Sequence, residues 1–186
     1  MNKQLTRTLF TGAVLIAAAS QAFGQFAATG TTSLSVAVAA ESAISITTPT
    51  TTLSEASGAG LFGSPYTGTT NFSYKVRSTK VGGGGSITVK ITADFAAGGP
   101  SVATPPTGDA MTYGCTATAS SATACTGPVT ASTSSATTVA TFATDAHSAS
   151  GVGSSDSGSV TWTLPNDPVY KTGTYTATAT FTISAT

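Results

Sequence analysis

The chain has 186 residues, of which 8% are charged, and its seven basic residues balance seven acidic ones. Ordinary soluble proteins are charged at roughly a quarter of their positions, so Thr, Ser, Ala and Gly replace charged side chains here. A neutral chain has no general attraction for nucleic acid or an anionic membrane, which argues against nucleic acid as a partner.

Residues 1–24 have the pattern of a helical, cleavable secretory signal peptide. Lys3 and Arg7 come first, an apolar run follows, and a small-x-small motif stands at 22–24. The apolar run covers about ten residues, short of the ~20 that cross a bilayer, and no other stretch is apolar enough to span. We therefore expect a mature chain from Gln25 that has no transmembrane segment. It is predicted to be secreted or displayed at the cell surface, by way of the periplasm if the cell has an outer membrane.

The next segment alternates between apolar and small polar residues over positions 26–46. Its even positions include large apolar side chains: Phe26, Leu34, Val36 and Val38. This period of two predicts β-structure. Strands usually have three to ten residues, so one continuous strand of ~70 Å would be abnormal. Either the segment breaks near Glu41 into two strands, or its first part projects from the domain, and residues 25–40 are predicted to be a donor or edge strand.

The middle of the chain predicts two strands joined by a glycine-rich turn. Apolar residues at 72, 74 and 76 alternate with polar ones, and a second alternating run covers 87–95 after four glycines at 82–85. Such a pair is typical of a β-hairpin. Its polar side and turn are predicted to carry four cations: Lys75, Arg77, Lys80 and Lys90. We interpret them as a solvated face that blocks edge pairing, with a basic patch for an acidic glycan or surface polymer as the alternative.

Further alternating runs complete the predicted domain. They lie at 111–119, 138–142 and 160–164, and the run that ends the chain alternates apolar odd positions with hydroxyl even positions from 174 to 186. The last two runs are predicted to form a hairpin. With about eight strands and no mature helix, residues 25–186 are predicted to form a single antiparallel β-sandwich of immunoglobulin-like type, with Trp162 in its core.

The two cysteines, Cys115 and Cys125, lie ten residues apart in a chain that is predicted to enter an oxidising compartment. One structural disulfide is the expected arrangement. Closing so short a loop would stabilise the fold by about 2–3 kcal/mol through chain entropy. A metal pair or a redox dithiol is the alternative, but the spacing is not Cys-x-x-Cys and the lone histidine adds little.

Catalytic chemistry needs a constellation of nucleophile, acid, base or metal ligands, and the sequence proposes none. The one histidine, His147, follows Asp145 in a predicted loop, and no Gly-x-Ser-x-Gly elbow occurs. The acidic residues are dispersed and form no calcium-loop pattern. We therefore expect no catalytic residues, no metal and no cofactor.

In its export signal, its alternating segment and its strand-rich body, the chain resembles secreted bacterial fibre subunits that use donor-strand exchange. These are the chaperone–usher pilins and biofilm-matrix fibre proteins. The resemblance implies that the segment with Phe26, Leu34, Val36 and Val38 adds to a sheet of the next subunit, which produces a filament. We expect an exported, non-enzymatic structural protein that binds itself head to tail. The alternative is a monomeric module that binds carbohydrate or another surface, with a surface glycan as partner.

Overall fold

The structure is a computed structural model that describes residues 29–55, 62–118, 122–151 and 155–186. The predicted signal peptide and Phe26 lie outside the described residues. The chain divides into two units, Met1–Ala37 and Val38–Thr186. In the first unit, the described residues 29–37 form neither helix nor strand.

The described part of the chain contains ten β-strands and no helix, which confirms the all-β prediction. All strand pairs are antiparallel and form two sheets. The six-stranded sheet has the order β1-β3-β9-β5-β7, with β2 also paired to β3, and the four-stranded sheet has the order β10-β4-β8-β6. The strands are β1 (Glu41–Ile46), β2 (Ser54–Glu55), β3 (Tyr66–Arg77), β4 (Gly85–Ala93), β5 (Thr112–Ala117), β6 (Ala122–Ala124), β7 (Val129–Thr130), β8 (Thr137–Phe142), β9 (Asp156–Leu164) and β10 (Thr178–Ala185).

Alternation along each strand separates a core face from a solvent face. In β9, Val160, Trp162 and Leu164 are buried, while the hydroxyl residues between them lie on the outer face. Trp162 is 4% exposed, as predicted for a core residue, and its indole Nε1 donates a hydrogen bond of 2.9 Å to the Thr70 hydroxyl. The polar end of this large side chain is therefore satisfied within the core.

Aromatic side chains join the two sheets across the core of the sandwich. Phe72 of β3 contacts Phe181 of β10 with ring centroids 5.8 Å apart, and Tyr74 contacts Phe142 of β8 at 5.6 Å. Gly158 pairs with Phe72 on the neighbouring strand, and a Cβ at this position would lie 2.5 Å from the Phe72 Cζ atom. The absence of a side chain at Gly158 thus makes room for the Phe72 ring.

Successive strands alternate between the sheets from β3 to β10. The predicted hairpins are therefore wrong: β3 pairs with β1, β2 and β9, whereas β4 pairs with β8 and β10. β9 likewise pairs with β3 and β5 and not with β10. Alternation specifies which face of a strand is buried, and two strands that face each other across a core show the same pattern as two that pair.

The glycines at 82–84 lie in the connection between the sheets, and Gly85 begins β4. The N–H groups of Thr79 and Gly84 both donate to the carbonyl of Thr186, at 2.9 and 3.0 Å. A Cβ on Gly83 would collide with the carbonyl oxygens of Thr79 and Thr186, and Gly82 has a φ of +71°. The close approach and the left-handed backbone explain why glycine is needed at these two positions.

In the part that the structure describes, the N-terminal alternating run contains one strand. β1 begins at Glu41, whereas residues 29–40 form neither helix nor strand. Three strands, β2, β6 and β7, were not predicted from the sequence because each has only two or three residues. A period of two cannot be recognised over so short a length.

Candidate assembly site

The segment before β1 exposes a row of apolar side chains. Leu34 is 93% exposed, Val36 is 86% exposed and Val38 is 66% exposed. Single exposed apolar residues are common on protein surfaces, but these three follow one another at alternate positions of the sequence. In a β-strand these three side chains would project from the same face. They are the described members of the predicted donor strand.

One side of the sandwich is incompletely covered. β1 ends the six-stranded sheet, β10 ends the four-stranded sheet, and the two strands lie next to each other across the sandwich. Their inward side chains Ile44, Ile46, Phe181 and Ile183 are only half-buried, although they pack against the fully buried core. The β1–β10 side, defined by these four residues, therefore retains apolar surface that a further strand would cover.

The opposite side of the sandwich is closed by the predicted disulfide. Cys115 lies in β5 of the six-stranded sheet, and Cys125 directly follows β6 of the four-stranded sheet. Their Cα atoms are 5.5 Å apart, and the disulfide confirms the sequence prediction. The two sheets are thus covalently joined at one side, while the β1–β10 side is held by apolar contacts.

The four predicted cations do not share one face. Lys75 and Arg77 lie on the outer face of β3, Lys90 lies on the outer face of β4 in the other sheet, and Lys80 lies in the connection between them. Lys75 donates to the Gly151 carbonyl at 3.1 Å. Arg77 bonds Glu41 at 3.0 Å and the Ala39 carbonyl at 2.9 Å, so it fixes the start of β1.

Hydroxyl groups cover the outer faces of both sheets. Across neighbouring strands, Thr69 bonds Thr161 at 3.1 Å, and Thr92 bonds Thr180 at 2.8 Å. Hydroxyl groups therefore provide much of the polar outer surface in the described part of the chain, and pairs of them bond across strands. The sequence shows the hydroxyl residues, but their pairing across strands depends on the sheet order.

His147 lies in a shallow groove beside β1 and β3. Its Nδ1 atom lies 2.8 Å from the backbone carbonyl of Asp145, which itself has a left-handed φ of +59°. The groove is also lined by Glu41, Lys75 and Arg77. This contact with a carbonyl oxygen holds the orientation of the imidazole ring.

Two aspartates fix the loops at one end of the sandwich. Asp94 accepts hydrogen bonds from the N–H groups of Phe95, Val102 and Ala103 and from the Ser101 hydroxyl. Desolvation raises the pKa of Asp94, but these hydrogen bonds outweigh it, so the net pKa is lowered.

The second aspartate, Asp109, lies beside Asp167 and accepts a hydrogen bond of 3.3 Å from Tyr170. Desolvation and the neighbouring Asp167 raise the pKa of Asp109. Desolvation and the Asp109 carboxylate raise the pKa of Tyr170 to about 12. Within residues 29–55, 62–118, 122–151 and 155–186, no three His, Cys, Asp or Glu side chains are grouped closely enough to hold a metal ion.

Comparisons with known proteins find no similarity that would identify the chain. No protein-family model matches it, and no curated protein or solved structure is significantly similar. In the described segments, no helix has the length and hydropathy required to cross a membrane.

Proposed function

We propose that this protein is an exported, non-enzymatic structural subunit that assembles into fibres by β-strand addition. The observation that carries the proposal is the exposed row Leu34, Val36 and Val38. Contact of these apolar side chains with water is unfavourable, so their burial would stabilise an assembled state. Secretion through the N-terminal signal and an immunoglobulin-like type for the sandwich are parts of the same proposal.

The physical basis of assembly is β-augmentation. A strand added to a sheet edge gains main-chain hydrogen bonds, and its alternate side chains enter an apolar groove. Burying a Leu or Val side chain is worth about 1.5–3 kcal/mol, so three of them supply several kcal/mol before the ordering cost of the segment. Because the donor and the acceptor are different surfaces, the contact is heterologous and extends into a filament.

The immunoglobulin-like type is supported by the buried tryptophan and its position relative to the disulfide. Trp162 pairs with Tyr113, and Cys115 is two residues further along the same strand as Tyr113. The disulfide joins the two sheets, and its Cys115 pairs with Val160, two residues before Trp162. A buried tryptophan near an intersheet disulfide is a feature of immunoglobulin domains.

Sedimentation velocity of the processed chain, defined as the chain from Gln25 onward, tests the proposal. The protein should form species whose size grows with concentration. The triple variant Leu34→Thr, Val36→Thr, Val38→Thr should remain monomeric, because threonine keeps a high β-propensity but removes most of the apolar surface.

A matched control introduces three threonines at the alternate positions of the segment, which would lie on the opposite face of the donor strand. The variant Ser33→Thr, Ser35→Thr, Ala37→Thr should assemble like the parent protein. If the parent remains monomeric at all concentrations, the fibre proposal is wrong and the monomeric surface-binding module becomes the better interpretation. Equal assembly by both triple variants would show that the apolar row has no role.

A further inference from the structure

We infer that the acceptor for the donor segment is the outer edge of β10 in a second copy of this chain. This inference rests on the proposed function and specifies its binding site. Among the described residues, β10 pairs only with β4. In an antiparallel pair, every second residue directs its N–H and C=O groups away from its partner, so the other edge of β10 offers an unused set of hydrogen-bonding groups.

The other strands at sheet edges are poorer acceptors. β6 has three residues and β7 has two, fewer than the five residues from Leu34 to Val38. The edge formed by β1 and β2 is interrupted after Ile46, and its first residue, Glu41, is held in an ion pair with Arg77. β10 has eight residues. It contains none of the charges or prolines that natural proteins use to block edge pairing.

The side chains of donor and acceptor are complementary. Along β10, Phe181 and Ile183 face the core and are half-buried, while Thr180 and Thr182 face solvent. A strand on the free edge of β10 would direct alternate side chains toward the gap that Ile44 and Ile46 of β1 leave partly open. Leu34, Val36 and Val38 repeat at this same period of two, about 6.8 Å in a strand.

Charge also favours a second copy of this chain as the occupant. Positions 29–40 contain no charged residue, and neither does β10. A donor with Lys, Asp or Glu at its inward positions would bury an unpaired charge between β1 and β10, at a large cost. The segment of this chain avoids that cost.

The place where the chain enters β1 favours a head-to-tail contact. Glu41 pairs with Arg77, and the N–H of Thr79, two residues later, donates to the Thr186 carbonyl just beyond β10. The chain therefore enters β1 at the end of the sandwich where β10 finishes. A subunit that donates from this end and accepts along β10 has two distinct surfaces, so the contact does not close on itself.

Cysteine crosslinking of the processed chain tests the acceptor. Ser35→Cys is combined in turn with Thr180→Cys, Thr182→Cys or Ser184→Cys, because residues 180, 182 and 184 lie on the outer face of β10 and residue 35 would lie on the outer face of the donor strand. Paired strands bring Cα atoms within disulfide distance, and three acceptor positions cover the unknown register. Mild oxidation should give a ladder of covalent oligomers for at least one pair, and the ladder should disappear on reduction.

The control combines Ser35→Cys with Thr161→Cys, on the outer face of β9 in the other sheet, and should give no ladder. Trp162 fluorescence verifies that each variant is folded. Filaments without a ladder at any β10 position, or a ladder equally strong for the β9 control, would overturn the β10 assignment and leave the fibre proposal intact. If the parent protein forms no filaments, both proposals are wrong.

Hydrogen exchange provides a second measurement that needs no substitution. Amides of residues 179–185 that point away from β4 should exchange rapidly in the monomer and lose that rapid exchange on assembly, together with amides of 34–38. Protection of 34–38 without added protection in β10 would assign the acceptor to a different edge.

Discussion

Removing the disulfide should destabilise the sandwich without abolishing its fold. In the double variant Cys115→Ala, Cys125→Ala, the unfolded chain regains the freedom of a loop of ten residues, worth about 2.7 kcal/mol at 25 °C by the chain-entropy relation. Alanine retains an apolar group at the half-buried Cys115. For a domain of this size the loss corresponds to a fall in Tm of about 5–10 °C.

Urea unfolding followed by Trp162 fluorescence measures this loss, because Trp162 is buried and is the one tryptophan of the chain. Adding a reductant should lower the unfolding midpoint of the parent protein to that of the double variant and leave the variant unchanged. A difference below about 1 kcal/mol would refute the view that the disulfide stabilises the closed side through loop closure. Assembly should persist in the folded variant, since the disulfide lies opposite the β1–β10 side.

Three further substitutions test the core and the loops, each by the free energy of unfolding. Gly158→Ala should destabilise the fold by about 1–3 kcal/mol, because its Cβ would overlap the Phe72 ring, and no change would mean that the ring has room to move. Asp94→Ala should lower the free energy of unfolding by about 1–2 kcal/mol at pH 7, because hydrogen bonds are lost. Since the pKa of Asp94 is lowered in the folded protein, the difference in stability between parent and variant should shrink as the pH falls below the ordinary pKa of aspartate. A difference that does not change with pH would contradict this prediction. Asp109→Asn should stabilise the protein at pH 7 and have less effect in acid, because desolvation and Asp167 raise the pKa of Asp109 in the folded protein. A variant less stable than the parent at pH 7 would contradict this prediction.

Local patterns in the sequence predict much of this fold. The alternation in β9 and β10 correctly identifies which residues face the core, and Trp162 is buried as expected. The strand order could not be predicted, because β4 and β10 pair across 84 or more residues of intervening chain and no local signal specifies such a partner. Glycines at 82–85 are compatible with both a hairpin turn and a connection between sheets.

The candidate site was only partly predictable. The apolar row at 34, 36 and 38 is visible in the sequence, as is the disulfide spacing. The free edge of β10 could not be predicted from the sequence, because the alternation of the terminal strand suggests a hairpin with β9. In the structure, β10 pairs with β4 and β9 pairs with β3. The scatter of the four cations has the same cause: β3 and β4 lie in different sheets, so residues predicted to share a hairpin face are separated.

Nonlocal pairing has a consequence for folding. In the described chain, β2 and β3 are the one pair of consecutive strands joined by backbone hydrogen bonds. Nearly all other strand pairs therefore form only when a long loop is closed. Such topologies fold slowly, and β10 pairs only after most of the chain has been made. An apolar free edge exposed during this time would need protection from premature pairing.

Electron microscopy of the processed chain, beside a version that lacks residues 25–38, shows whether the N-terminal segment is needed for fibre assembly. The shorter chain keeps Ala39 and Glu41, which hold the start of β1 through Arg77. Fibre assembly predicts filaments from the processed chain and folded monomers from the shorter one. Folded monomers from both chains at every concentration, or filaments from both, would contradict it.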